Sequence, residues 1–445
     1  MNRRDFLKRT AAIAAATALP DIARAGEKLE TIAAVADEES VSKLIISAPM
    51  LQNYAETSMG VAFAVSDMAN GYVRYSTSPD MSDAVTVKCG GFRVTDMNDH
   101  VMLVRLTGLK PATKYWYTIG ADRIAYKSGY DMKITGNEED PRIYSFTTAG
   151  KEASSHFCVI NDTHARWDVV AAAMDKVAAI VPACVIWNGD ATNCEEQIDN
   201  LVNIFLTPDI ERKDYAAEIP YMFCSGNHDS RGLANRHLER VWMFRQPEER
   251  ASRDWDLGRN FAVRMGDIAM IGLDTAEDKL DSNPLFAGLF SSVAYREAQT
   301  VWLKDALQQE EIASAPYLVA FCHIPLFDPR PDQKPGDLAP ADVSPEYRGN
   351  FANWQRTCAN MWGPLLKEAG CQLVITAHQH RYRYDEPDVD RTWAHIVGGG
   401  PSLRGGGHAT VIEGKVADGN LTVTVHSLED GSVQDSHTFA PRNKL

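Results

Sequence analysis

No Cys-x-x-Cys pair occurs among the 8 cysteines, so a thiolate zinc site is unsupported. Basic charge is also short. Lys and Arg number 45 against 60 Asp and Glu, a formal charge of −15. Broad binding to nucleic-acid backbones needs the opposite sign and is not expected. No interior stretch approaches the ~18 consecutive apolar residues of a membrane span, so no membrane partner is expected. No internal repeat is present. What remains is a chain of 445 residues, 44% hydrophobic and 24% charged. That balance excludes a disordered or fibrous chain and leaves room for two or three domains with a large core.

Residues 1–25 read as an address. A charged opening, Asn2-Arg3-Arg4-Asp5-Phe6-Leu7-Lys8, precedes an apolar run at 11–19 and then Ala23-Arg24-Ala25. This is the order of a secretory signal, preferred over a plain amphipathic helix. The paired arginines followed by Phe-Leu-Lys resemble the twin-arginine export signal. That resemblance implies a periplasmic or secreted protein, with the twin-arginine export machinery as a partner and folding, often with metal loaded, before export. Cys158, Cys184, Cys224, Cys322 and Cys371 lie in apolar, strand-like runs. Disulfides are open to an exported chain, but buried free thiols acting as small hydrophobes are the favoured reading.

Two rhythms follow. Over 40–148, short strands at 61–65, 71–75, 101–106, 114–119 and 143–147 alternate with turn signals, as in an all-β sandwich. The stretch 106–117, with Leu106, Leu109, Pro111, Tyr115, Trp116 and Tyr117, resembles a fibronectin type III signature. Over 152–440, strands alternate with helical patterns. Strands are expected at 156–160, 183–187, 221–224, 317–322 and 373–377. Helices are expected at 169–180, 296–309 and 358–369, and a hairpin over 261–273 turning at Gly266-Asp267. The end of the chain returns to strands over 393–439. This is the pattern of an α/β domain.

Five polar clusters each follow an apolar strand. They are Asp162-Thr163-His164, Gly189-Asp190, Gly226-Asn227-His228-Asp229, Cys322-His323-Ile324-Pro325 and Ala377-His378-Gln379-His380. In open α/β sheets, ligands gather beyond the carboxyl ends of strands, so the five converge. All donors are N or O, a set that suits Mn, Fe or Zn. Strand alternation would aim Asp162 and His164 at one face, and His378 and His380 likewise. A pair of ions roughly 3.5–4 Å apart needs a bridging carboxylate, for which Asp190 is the candidate. One Asp-x-His alone is more often a turn with a satisfied histidine; the ordered set of five is what carries weight.

The ordered set resembles the calcineurin-like metallophosphoesterase superfamily, over roughly 152–425. The resemblance implies an αββα sandwich of two mixed sheets and a dinuclear centre. One ion would be held by Asp162, His164, Asp190 and His380, the other by Asp190, Asn227, His323 and His378. His228 would hold no metal and would instead stabilise charge and donate a proton at the leaving oxygen. A β-sandwich ahead of such a domain resembles the purple acid phosphatase architecture. That family has Gly at the place of His164 and Tyr at the place of Asn193, so the likeness is to a fibronectin-fused relative. The implied reaction is hydrolysis of a phosphomonoester by a metal-bound hydroxide. A phosphodiesterase with the same centre is the alternative, and a glycan-binding protein with a decayed catalytic domain the reading of another class. A Pro-rich loop over 328–354 is read as a lid or a solvated loop. Arg166, Arg231 and His237 are each read as a phosphate contact or a surface ion pair.

Overall fold

The computed structural model describes residues 42–89, 99–244, 255–279, 281–327 and 350–442. The expected export signal and the 328–349 part of the expected lid lie outside them. Leu44–Leu445 form one compact unit and Met1–Lys43 another, of which only Ser42 and Lys43 are described.

The strands, in chain order, begin with β1 (Met50–Gln52), β2 (Ser58–Ala64), β3 (Ala69–Ser76), β4 (Val85–Lys88) and β5 (Val101–Thr107). Next come β6 (Lys114–Ser128), β7 (Asp131–Glu139), β8 (Tyr144–Thr147), β9 (His156–Ile160), β10 (Cys184–Asn188) and β11 (Tyr221–Cys224). The second half holds β12 (Phe261–Met265), β13 (Ile268–Leu273), β14 (Tyr317–Cys322), β15 (Leu373–Thr376), β16 (Arg383–Asp385) and β17 (Ala394–Val397). The last three are β18 (Thr410–Ala417), β19 (Asn420–Ser427) and β20 (Val433–Phe439).

These strands make a 9-stranded sheet, β20-β19-β18-β9-β10-β11-β1-β2-β5, and a 6-stranded sheet, β12-β13-β14-β15-β17-β16. A third sheet, β4-β3-β6-β7 with β8 on β6, belongs to the N-terminal region. β9, β10 and β11 run parallel, as do β13, β14, β15 and β17. Both faces of the parallel strands are covered, which is why they read as continuous apolar runs rather than alternating ones.

Alternation within those runs splits the core. Phe157, Val159, Ile186 and Cys224 face Val319, Phe321 and Ile375 of the second sheet, and the rings of Phe157 and Phe321 meet edge-to-face at 5.5 Å. The opposite faces carry helices. Val170, Ala173, Met174 and Val177 of the helix Trp167–Ile180 pack with Cys158, Ile160, Val185 and Trp187. Trp302, Leu303 and Ala306 of the helix Ser292–Gln308 pack with Leu318, Ala320 and Val374, as does Trp362 of the helix Asn350–Glu368. The layers are helix, sheet, sheet, helix, as expected.

Several elements differ from expectation. The helix expected from 296 starts at Ser292, because Asp281 accepts hydrogen bonds from the Ser292 and Val293 amides, at 2.8 and 3.3 Å. The helix expected from 358 begins at Asn350, so the last five residues assigned to the lid are helical. β6 continues nine residues past 119 into a ribbon with β7, whose mostly exposed residues show no core-facing alternation. β1 pairs in parallel with β11 through Gln52 and Tyr221, and Leu51 donates its amide proton to the Ala216 carbonyl at 2.9 Å. One sheet therefore runs from the N-terminal strands into the α/β region. All 8 cysteines carry free thiols, and Cys158, Cys184, Cys224, Cys322, Cys358 and Cys371 are buried.

Candidate metal centre

The five clusters follow β9, β10 and β11 in one sheet and β14 and β15 in the other. Because these strands are parallel within each sheet, their carboxyl ends lie on one edge. The residues expected to alternate along a strand do not do so. Asp162, His164, Asp190, His378 and His380 sit beyond the strand ends with φ of 47°, 46°, 49°, 69° and 55°. Side chains with a β-carbon rarely adopt this left-handed conformation, which costs of order 1–3 kcal/mol at each position. Crossing hydrogen bonds hold it. Asp162 N–H donates to the Gly189 carbonyl (3.0 Å), His164 N–H to that of Asp190 (2.9 Å), and Ala377 N–H to that of His323 (2.8 Å). Gly189 and Gly226 let the loops close, since a Cβ on either would overlap His323 Nδ1 or Asp190 Oδ1 respectively.

The result is a cluster of ring nitrogens and carboxylate oxygens turned toward one another. His164 Nε2 and His380 Nε2 lie 3.1 Å apart. Asp162 Oδ1 is 3.3 Å from His380 Nε2, 3.8 Å from His323 Nε2 and 3.9 Å from His164 Nε2. Asp190 Oδ2 is 3.1 Å from His323 Nε2 and 3.7 Å from His164 Nε2. Asp162 Oδ1, Asn227 Oδ1 and His323 Nε2 are buried without a hydrogen-bond partner, a condition that costs stability unless a further group is bound. His323 Nδ1 lies 2.8 Å from the Asn188 carbonyl, which keeps a proton on Nδ1 and aims Nε2 at the two carboxylates.

Two ligand groups emerge. Potential ligand atoms of Asp162, His164, Asp190 and His380 lie within 4.8 Å of one another, as do those of Asp190, His323 and His378. Asp190 belongs to both, and Asn227, whose Oδ1 is buried without a partner, directly precedes His228, whose amide donates to Asp190. The two groups hold six of the residues expected to ligate metal, Asp162, His164, Asp190, His323, His378 and His380, a set that fits a pair of cations; Asn227 is in neither group. The electrostatics agree. Burial opposes charge on His323, yet Asp190 and Asp162 push its imidazole up to about 10. Burial and the neighbouring His323 push His378 down to about 4. Burial would raise Asp162, but His323 and His380 hold it below its ordinary value. Carboxylates this starved of solvent demand positive charge.

Asp229 has a role the motif alone did not reveal. Its carboxylate, fully buried, accepts from the amides of Asp190 (2.7 Å), Thr192 (3.0 Å) and Gly226 (2.8 Å), and from Thr192 Oγ1 (2.9 Å). Burial and the Asp190 charge push its pKa up, but four donors leave no acceptor for a proton of its own. It ties the Asp190 loop to the Asn227 loop. Asp229→Asn would aim an amide NH₂ at two N–H donors. We expect the variant to lose about 3 kcal/mol, read as a lower Tm of the metal-free protein; an unchanged Tm would refute this role.

The three candidate phosphate contacts divide. Arg231 is clamped by Glu277, Nε to Oε2 and Nη2 to Oε1 both at 2.6 Å, and by Asp278 at 3.0 Å. Asp278 Oδ2 lies 3.8 Å from His378 Nε2, so this ion pair borders the cluster. Arg166 pairs with Asp168 and His237 with Glu239, at 3.2 and 3.6 Å, on exposed surface. Asn193 is exposed.

A family model described as calcineurin-like phosphoesterase matches residues 155–382. Two solved structures share the fold. A purple acid phosphatase from yellow lupin (Lupinus luteus) seeds is 13% identical, with a TM-score of 0.59 over 88% of this chain and 74% of its own. PhoD is 12% identical, with a TM-score of 0.58 over 89% of this chain and 90% of its own. No curated protein matches by sequence.

Proposed function

The chain belongs to the calcineurin-like phosphoesterase family, and from that premise we propose that it is an exported two-metal phosphatase acting on phosphomonoesters. Hydrolysis of phosphoric esters with the help of metal is what the family and the cluster share. The observation that carries the two-ion reading is Asp190, whose carboxylate stands in both ligand groups. Asp162, His164 and His380 would complete one ion's shell, and Asn227, His323 and His378 the other's. The donors suit Fe, Mn or Zn. When bound, two such ions supply an activated water as nucleophile and neutralise charge on the phosphoryl oxygens.

The protein's own part is orientation. Asn161 Nδ2 donates to Asp162 Oδ2 at 2.7 Å, and the His378 amide to the same oxygen at 3.1 Å, so Oδ1 is left for an ion. The His228 amide donates to Asp190 Oδ1 at 2.9 Å. This places the imidazole beside the shared carboxylate, where it serves as a donor to phosphoryl or leaving oxygen. His228 belongs to neither ligand group.

The monoester assignment is supported by the likeness of fold to a purple acid phosphatase. The test is turnover of p-nitrophenyl phosphate against bis-p-nitrophenyl phosphate, with ions counted per chain. Faster diester turnover would reverse the ester class, and protein active without metal would overturn the reading. Export rests on residues 2–25. Arg3→Lys with Arg4→Lys keeps the charge, and a receptor reads the pair, so the protein is expected to stay in the cytoplasm; undiminished periplasmic yield would sink that route. Among the described residues no helix is long and apolar enough to cross a membrane.

A further inference from the structure

A neutral imidazole carries one proton, and the nitrogen that accepts a hydrogen bond leaves that proton on the other. For His228 this choice decides whether Nε2 can donate. Its Nδ1 lies 3.3 Å from Sγ of Cys194, within reach of an S–H···N bond.

Cys194 is held there by more than its own side chain. Its backbone is left-handed, with φ of 67°, an uncommon state for a residue with a β-carbon. Its segment is fastened to the His228 segment on both sides. Asn235 Nδ2 donates to Thr192 Oγ1 at 2.7 Å and to the His228 carbonyl at 2.8 Å. The Ala234 amide donates to the Glu195 carbonyl at 3.0 Å. Among the described residues Cys194 belongs to neither ligand group, and it forms no disulfide. Burial raises its thiol above the ordinary value, against the pull of the Arg231 charge, which favours the protonated sulfur as donor.

We propose that Cys194 is a positioning residue: its thiol donates to His228 Nδ1, so that the proton of the neutral ring stays on Nε2, facing the phosphoryl group. This rests on the role given to His228 above. Cys194 itself touches neither substrate nor ion; it sets the tautomer and orientation of the group that does.

The test is a double-mutant cycle on the full, metal-loaded chain with p-nitrophenyl phosphate, using Cys194→Ala, His228→Ala and both together. Cys194→Ala is expected to lower kcat about tenfold, the scale of one lost hydrogen bond. KM and bound metal should stay unchanged. In the His228→Ala background the same change should do nothing. Cys194→Ser, which keeps a donor, should restore most of the turnover. In zinc-loaded protein, ¹⁵N shifts of the His228 ring should show protonated Nε2, and a tautomer mixture in Cys194→Ala. Loss of metal in Cys194→Ala, equal losses with and without His228, or no rescue by serine would each overturn the proposal. The two readings separate cleanly. If His228→Ala itself turns over normally, the role of His228 fails and this inference falls with it. If His228→Ala is slow but the cycle is additive, only the inference about Cys194 fails.

Discussion

Asp190→Ala is expected to abolish turnover and to weaken the hold on both ions, leaving fewer than two per chain. The carboxylate stands 3.1 Å from His323 Nε2 and 3.7 Å from His164 Nε2 through one oxygen, and accepts the His228 amide at 2.9 Å through the other. Among the described residues no other belongs to both ligand groups. Removing an outer-shell partner already costs 10–100-fold or so in affinity or activity, and here the anion shared by two cations is lost. His323 would also lose a carboxylate that pushes its imidazole up, so the pocket would no longer be arranged for cations. Alanine fits poorly at a φ of 49°, so Asp190→Asn is the companion variant, since Asn tolerates the left-handed region. It keeps the backbone and one oxygen but not the charge. Both variants should bind fewer than two ions per chain by elemental analysis. Two ions retained by either would remove Asp190 from the bridging position.

Much of this centre was legible because strand ends are a sequence signal. An apolar run that stops abruptly at Asp162, Asp190, Asn227, His323 or His378 marks both the strand and what lies past it. Parallel topology then brings those ends together without further information. The geometry at those ends was not legible. Alternation predicted that Asp162 and His164 share a strand face, whereas both lie in left-handed turns set by bonds to residues 189 and 190. No local pattern encodes a carbonyl supplied by a neighbouring loop. The same holds for Asp229 and for Cys194, whose partners lie 34–39 residues away for the cysteine–histidine and Asp190 contacts. The Ile198–Phe205 helix escaped because two turns give too few apolar positions to establish a period. β1 escaped because its three residues are too few to show one, and its pairing with β11 is a long-range contact.

His228→Ala is expected to keep both ions and to lower kcat by roughly 10²–10³, the usual loss when one preorganised donor to a developing charge is removed. The separation follows from which atoms the substitution touches. The contact between residue 228 and the shared carboxylate is made by the backbone amide, at 2.9 Å, and alanine retains it. The imidazole lies outside both ligand groups, with its ring packed edge-to-face on His164 at a centroid distance of 4.8 Å. Burial lowers the His228 pKa, against the opposing pull of Asp190, so the neutral ring is favoured, and a neutral ring acts by hydrogen bonding from whichever nitrogen keeps the proton. Deleting it leaves the ions in place and removes stabilisation that grows as charge moves onto the phosphoryl and leaving oxygens, so kcat should fall while KM changes little. Metal analysis and steady-state kinetics on the same preparation decide the matter. If the variant loses an ion, His228 is a ligand; if it keeps both ions and full turnover, the donor lies elsewhere.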